Sequence, residues 1–109
     1  MSGSDILERL ARVLQERHRE LPEGSYVSSL FEGGHSAIAS KVREEAEELI
    51  GAAVEDDTVH TVHEAADLLF HMLVLLENVS IAPSEMLEEL ESRFGTGGLE
   101  EKASRSRTR

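Results

Sequence analysis

The sequence predicts an all-α fold, about five helices in a bundle completed by homodimerisation. Three observations lead there. Apolar residues recur at steps of three and four through most of the chain, the period of a helix face. Proline and glycine fall between the periodic segments, at Pro22 and Gly24, Gly33 and Gly34, Pro83 and Gly95. At 109 residues the chain makes one domain with a limited core, so long apolar helices need a second copy to cover them.

A first helix follows Ser4, a suitable N-cap, and carries Leu7, Leu10, Leu14 and Leu21 on one stripe. Pro22 to Gly24 end it. A short second helix over about 26–32 offers Val27, Leu30 and Phe31, and Gly33-Gly34 closes it. The third runs from near Ser36 to about Val54, with Ile38, Val42, Ala46, Leu49 and Ala53 as its apolar stripe. Glu45 borders that stripe, Glu48 lies one step further round, and Lys41 falls on the same flank.

Glu55 to Asp57 form a turn, and Thr58 is placed to cap a fourth helix over about 59–79. That helix is apolar almost all round, which marks it for burial on several sides. Yet His60, Glu64, Asp67 and His71 succeed one another at steps of four, three and four, a single polar stripe on an apolar rod. Pro83 suits the first position of a fifth helix, with Met86, Leu87 and Leu90 facing inward. Residues 1–94 thus form the helical domain, and 95–109 a Gly- and Arg-rich arm.

Charge is distributed by segment. Residues 1–43 carry six acids and six bases, residues 44–92 carry fourteen acids and no Lys or Arg, and residues 93–109 carry five bases and two acids. The net charge of −11 disfavours nucleic acid as a partner, because that binding runs on basic patches. With no cysteine there is neither a disulfide framework nor a thiolate metal site. No basic-then-apolar leader opens the sequence, and no uninterrupted apolar run approaches the roughly 18 residues of a membrane span. The expectation is a soluble, intracellular protein.

The chemistry is read from two acidic pairs. Glu45/Glu48 and Glu64/Asp67 each hold carboxylates three residues apart, on one face of a helix and one turn apart. Taken alone, the Glu44–Glu48 run is an ordinary solvated helix edge. Glu64 and Asp67 are different, because a carboxylate on an apolar helix is costly unless paired or bound to metal. Two such helices side by side converge four carboxylates, which repel one another without a cation. Oxygen ligands with water suit Mg²⁺, or Mn²⁺, rather than zinc. The Glu-x-x-His spacing of di-iron bundles is missing, which favours an oxygen-only site. His60, His63 and His71 read most simply as hydrogen-bonded core residues. A carboxylate-held Mg²⁺ near basic residues points to a polyphosphate substrate, with Lys41, Arg93, Lys102 and Arg105 as phosphate partners. No Gly-x-x-x-x-Gly-Lys loop is present, so this is not a P-loop site.

At these residues the chain resembles known proteins. Glu44-Glu45-Ala-Glu-Glu48 with Glu64-Ala-Ala-Asp67 is similar to the two acidic motifs of the all-α, MazG-like nucleotide pyrophosphohydrolases. Within that group, Ser25-Tyr-Val27, Lys41-Val-x-Glu-Glu-Ala and the stretch from Glu64 to Leu76 look like the phosphoribosyl-ATP pyrophosphatases. So does Arg93-x-Gly-Thr-x-Gly-Leu-Glu-Glu-Lys-Ala-Ser-Arg105, the most specific motif. The resemblance implies Mg²⁺-dependent hydrolysis of phosphoribosyl-ATP to phosphoribosyl-AMP and pyrophosphate, the second step of histidine biosynthesis, in a cytoplasmic homodimer. It implies Glu45, Glu48, Glu64 and Asp67 as metal ligands, and Glu44 as a further ligand or the group orienting the attacking water. Lys41, Lys102 and Arg105 would meet phosphates. Arg43, Glu47 and Gly97 depart from common family residues, and none is a proposed ligand. The alternatives are a house-cleaning nucleoside triphosphate pyrophosphohydrolase and a non-catalytic acidic helical dimer.

Overall fold

A computed structural model describes residues 3–94 of the chain. Four helices follow one another: α1 (Gly3–Glu20), α2 (Tyr26–Val54), α3 (Thr58–Asn78) and α4 (Pro83–Phe94). The all-α expectation holds, with four helices instead of about five. The difference lies at Gly33-Gly34. Predicted helices two and three are one run, α2, bent at Gly34, whose φ of 80° and ψ of −172° are not helical. That backbone region is essentially reserved for glycine. Gly34 therefore interrupts the helical conformation for one residue, and the two limbs of α2 meet there at a kink. Its first limb packs Val27, Leu30 and Phe31 into the core, while its second lies along α3.

Local chemistry sets the ends. Ser25 caps α2, its Oγ accepting from the Ser28 amide at 3.2 Å and from Arg17 Nη1 of α1 at 3.1 Å. Asp57, not Thr58, caps α3 by accepting from the His60 amide at 3.0 Å. A carboxylate at that position also complements the helix dipole. Pro83 opens α4 as expected, and Glu85 returns to the Ala82 amide at 2.9 Å. Ser4 lies inside α1 and is not its cap. Leu21 does not extend the α1 stripe: it turns left-handed past the helix end, φ 47°, and is exposed.

The α2–α3 hairpin is the main packing unit, α1 lies against both helices, and α4 packs on α1. Leu14, Val27, Leu30, Phe31, Ile38, Leu73 and Val74 form the core, flanked by half-buried Leu7, Leu10, Phe70 and Met86. Along the second limb of α2 the buried positions are Ile38, Glu45 and Ala52, seven apart. Buried Glu64 and His71 of α3 keep the same interval. Seven residues make two turns, so these positions form one seam. Glu45 thus belongs to the buried seam, not its border, and Ala52 takes the place expected for Ala53, which is exposed. Leu90, expected to face inward, is also exposed.

By length and composition alone, α3 is apolar enough to cross a membrane. It packs on α2 and α1 as a core helix and leaves one face open: Val59, Val62, Ala66 and Leu69, at steps of three, four and three, are exposed beside Ile50 and Val54 of α2.

Replacing Gly34 by Ala tests the bend. No heavy atom lies within 4 Å of an added Cβ, so space is not the obstacle. The expected cost is about 1–3 kcal/mol from backbone strain alone. Urea denaturation measures it, and an unchanged midpoint would show that α2 can straighten freely.

Candidate metal centre

The seam brings Glu45 of α2 and Glu64 of α3 face to face. Each residue retains 5% of its exposure. One oxygen of each, Glu45 Oε2 and Glu64 Oε2, is buried with no hydrogen-bond partner. The other Glu64 oxygen lies 3.2 Å from His60 Nε2, and Glu45 Oε1 is 3.7 Å from Lys41 Nζ. Glu48, one turn along α2, completes a group with Glu45 and Glu64 in which one carboxylate oxygen from each lies within 4.8 Å of the others.

A second group shares Glu64. It adds Asp67 and His63, again with ligand atoms within 4.8 Å of one another. His63 Nε2 stands 3.5 Å from Asp67 Oδ2, one turn away on α3. All four carboxylates named from the sequence therefore gather around Glu64. The oxygen-only expectation did not include His63, which this grouping sets beside Asp67. The i,i+4 spacing to Asp67 was its signal, obscured because an exposed histidine on a helix is usually just a surface residue.

The electrostatics follow from crowding. Contact with Glu45 foremost, then burial, then contact with Glu48, pushes the Glu64 carboxyl up to about 7. Two buried carboxylates in one seam, each with an oxygen that lacks a partner, are what a divalent cation resolves, since it supplies the positive partner each lacks. The donors thus fit hard metal ions in two groups that share Glu64: Glu45, Glu48 and Glu64 in one, and Glu64, Asp67 and His63 in the other.

At the rim, Lys41 Nζ reaches Glu44 Oε1 at 3.3 Å, a bond that holds the ammonium charged. Glu44 is exposed and belongs to neither ligand group. Arg93 does not join the cluster in any contact: it sits exposed on α4 and bonds Glu89 of its own helix at 3.0 Å. Lys102 and Arg105, with the rest of the arm, lie outside the described residues.

The polar stripe of α3 continues to His71, which is 4% exposed. Its Nδ1 is 2.8 Å from the Asp67 carbonyl oxygen and its Nε2 2.8 Å from the Tyr26 hydroxyl. A carbonyl only accepts, so Nδ1 donates to it, and in the neutral ring Nε2 then accepts from the phenol. His71 is a hydrogen-bonded buried histidine, as expected, but its partner Tyr26 was not foreseen.

The family model described as phosphoribosyl-ATP pyrophosphohydrolase matches residues 7–94. Among curated relatives, a phosphoribosyl-ATP pyrophosphatase of Methylibium petroleiphilum is 50% identical over 105 residues, covering 96% of this chain and 88% of the relative. That of Methylococcus capsulatus is 46% identical over 101 residues, covering 93% and 96%. That of Geobacter sulfurreducens is 49% identical over 102 residues, covering 94% of each.

The raised Glu64 carboxyl has a thermodynamic consequence. The folded state holds this proton more tightly than the unfolded chain does, so the contribution is present below the unfolded value of about 4.5 and is lost as pH rises towards about 7. Metal-free protein should therefore melt at lower temperature at pH 8 than at pH 5.5 by this group's contribution. Glu64→Gln should flatten that difference, and Mg²⁺ at pH 8 should raise the melting temperature of the native chain but not of Glu64→Gln. Scanning calorimetry with and without EDTA is the measurement. An identical pH profile in both proteins would remove Glu64 as the titrating group.

Proposed function

The chain belongs to the phosphoribosyl-ATP pyrophosphohydrolase family, and from that membership we propose that it hydrolyses the α–β phosphoanhydride of phosphoribosyl-ATP, releasing phosphoribosyl-AMP and pyrophosphate. The observation that carries the chemistry is the pair of buried, partnerless oxygens on Glu45 and Glu64. An interaction surface has no use for two facing carboxylates beneath it, whereas a hydrolase acting on polyphosphate needs a cation there.

Glu45, Glu48, Glu64 and Asp67 would hold Mg²⁺, or Mn²⁺ in its place. Bound there, the ion supplies charge neutralisation for the phosphates and a water that ionises near neutral pH. Ionised Glu64 is a stronger ligand than its acid form, so cation binding and loss of its raised proton are linked. Lys41, charged and on the rim, meets a phosphate oxygen. Glu44 holds Lys41 and lies outside both ligand groups, which suits orienting the attacking water better than ligation. Arg93 of α4, with Lys102 and Arg105 of the sequence that follows it, remain the further phosphate partners in this reading. The expected site of action is the cytoplasm, in histidine biosynthesis.

The working unit is a homodimer in this reading. The exposed Val59, Val62 and Leu69 stripe, with Ile50 and Val54, is the surface a second copy would cover. It runs along α3 beside the carboxylate face, so association and site share one helix.

Pyrophosphate release from phosphoribosyl-ATP should require Mg²⁺, vanish with EDTA and return on adding the ion. Glu64→Ala and Asp67→Ala should each lower kcat by on the order of a hundredfold or more, the scale of losing one transition-state electrostatic contact. Activity surviving full chelation would refute the metal role. Faster turnover of dCTP, dUTP or ATP than of phosphoribosyl-ATP would reassign the substrate. For the assembly, Val62→Glu should shift sedimentation from dimer to monomer, and a wild-type chain that sediments as a monomer would end that part of the reading.

A further inference from the structure

Tyr26 is linked to this site through His71 and the Asp67 backbone, and it is held under unusual restraint. It is the first residue of α2, directly after the Ser25 cap that Arg17 ties to α1. At the other end of the side chain, its hydroxyl is bonded to buried His71 at 2.8 Å, and the two rings meet edge to face with centroids 5.9 Å apart. His71 is in turn fixed to the Asp67 carbonyl, and Phe70 abuts it edge to face at 5.2 Å. Backbone and phenol tip are both anchored, yet 51% of the residue is exposed.

The ring also lies within the field of the site: Lys41, Glu45, Asp67 and Glu44 are the charged groups acting on its hydroxyl. The chain has four aromatic residues. Phe31 is buried, Phe70 is half-buried against the core, and Phe94 ends α4. Tyr26 is thus the exposed aromatic face beside the carboxylates among the described residues. Metal and Lys41 account for recognition of phosphates, but nothing in that set recognises a base. A flat ring held rigid before the ligand arrives loses little side-chain freedom on stacking.

We propose that Tyr26 is the stacking platform for the purine base of the substrate, with His71 as the positioning residue that fixes its ring. This rests on the reaction proposed above, and it assigns the part of the nucleotide that the metal centre does not read. The phenol proton is committed to His71, so the ring face, not a donated hydrogen bond, makes the contact.

Two probes separate the ring from the metal centre: pyrophosphate, a product without a base, and 5′-AMP, which carries the adenine and 5′-phosphate of the other product. Calorimetry with Mg²⁺ present, using 5′-AMP and pyrophosphate as probes, should show Tyr26→Ala weakening 5′-AMP binding by about 5- to 150-fold, the range for one base–aromatic stack. Pyrophosphate binding should change by less than about threefold. Tyr26→Phe, which keeps the ring and loses the bond to His71, should fall between the parent and Tyr26→Ala in 5′-AMP affinity. With phosphoribosyl-ATP, the loss in Tyr26→Ala should appear mainly in KM. Circular dichroism and sedimentation establish that each variant keeps the fold and association state of the parent. Unchanged 5′-AMP binding, equal losses for both probes, a Tyr26→Phe as weak as Tyr26→Ala, or a changed association state in Tyr26→Ala would each overturn the assignment. A parent enzyme that binds 5′-AMP through Tyr26 but releases no pyrophosphate would sink the reaction and leave the platform standing.

Discussion

Two carboxylates facing each other across a helix seam are the constraint on which this structure turns. Glu45 and Glu64 occupy positions that the seven-residue interval of α2 and α3 otherwise assigns to Ile38, Ala52 and the histidine at 71. Their burial leaves one oxygen of each without a partner and lifts the Glu64 carboxyl to about 7. A hydrophobic pair there would pack with less strain. The retained cost marks these positions as kept for something other than stability, and a divalent cation is the simplest partner that removes it. Its place among phosphoribosyl-ATP pyrophosphohydrolases gives that expense a chemical purpose.

Everything that positions the seam is built at a distance from it. The core of Leu14, Phe31, Ile38, Leu73 and Val74 clamps α1, α2 and α3 together. Around its edge, His18 bonds Glu77 at 2.7 Å and stacks on Phe31, so the same three helices are also tied by a polar contact. The bend at Gly34 lets one helix serve two purposes: its first limb seals the core and presents Tyr26, and its second carries Lys41, Glu45 and Glu48 along α3. Without that change of direction a straight helix could not supply both.

The polar stripe on α3 has more than one use along its length. His60 and Glu64 meet at the cluster's start, His63 and Asp67 one turn on, and His71 reaches out to Tyr26. Asp67 contributes twice, its side chain to the cluster and its carbonyl to His71. Asp67 and His71 thus fix, from one helix, both a carboxylate of the cluster and the partner of the Tyr26 hydroxyl.

Periodicity by itself determined the all-α class, the helix faces and the two acidic pairs, because each depends only on residues within a turn or two of one another. It also marked Glu64 and Asp67 as anomalous, since a charge on an apolar helix is visible without coordinates. What crossed between helices was decided by the tertiary structure. Gly33-Gly34 reads as a stop in one dimension, and Gly34 does leave helical geometry; that a second helical limb resumes directly after the kink, with residues of both limbs in the core, was settled only in three dimensions. Whether Glu45 lay at the edge of the apolar stripe or inside the seam depended on how α2 rotates against α3, a choice worth only a fraction of a turn. The Tyr26–His71 bond joins residues 45 apart in sequence, a separation for which local spacing holds no signal.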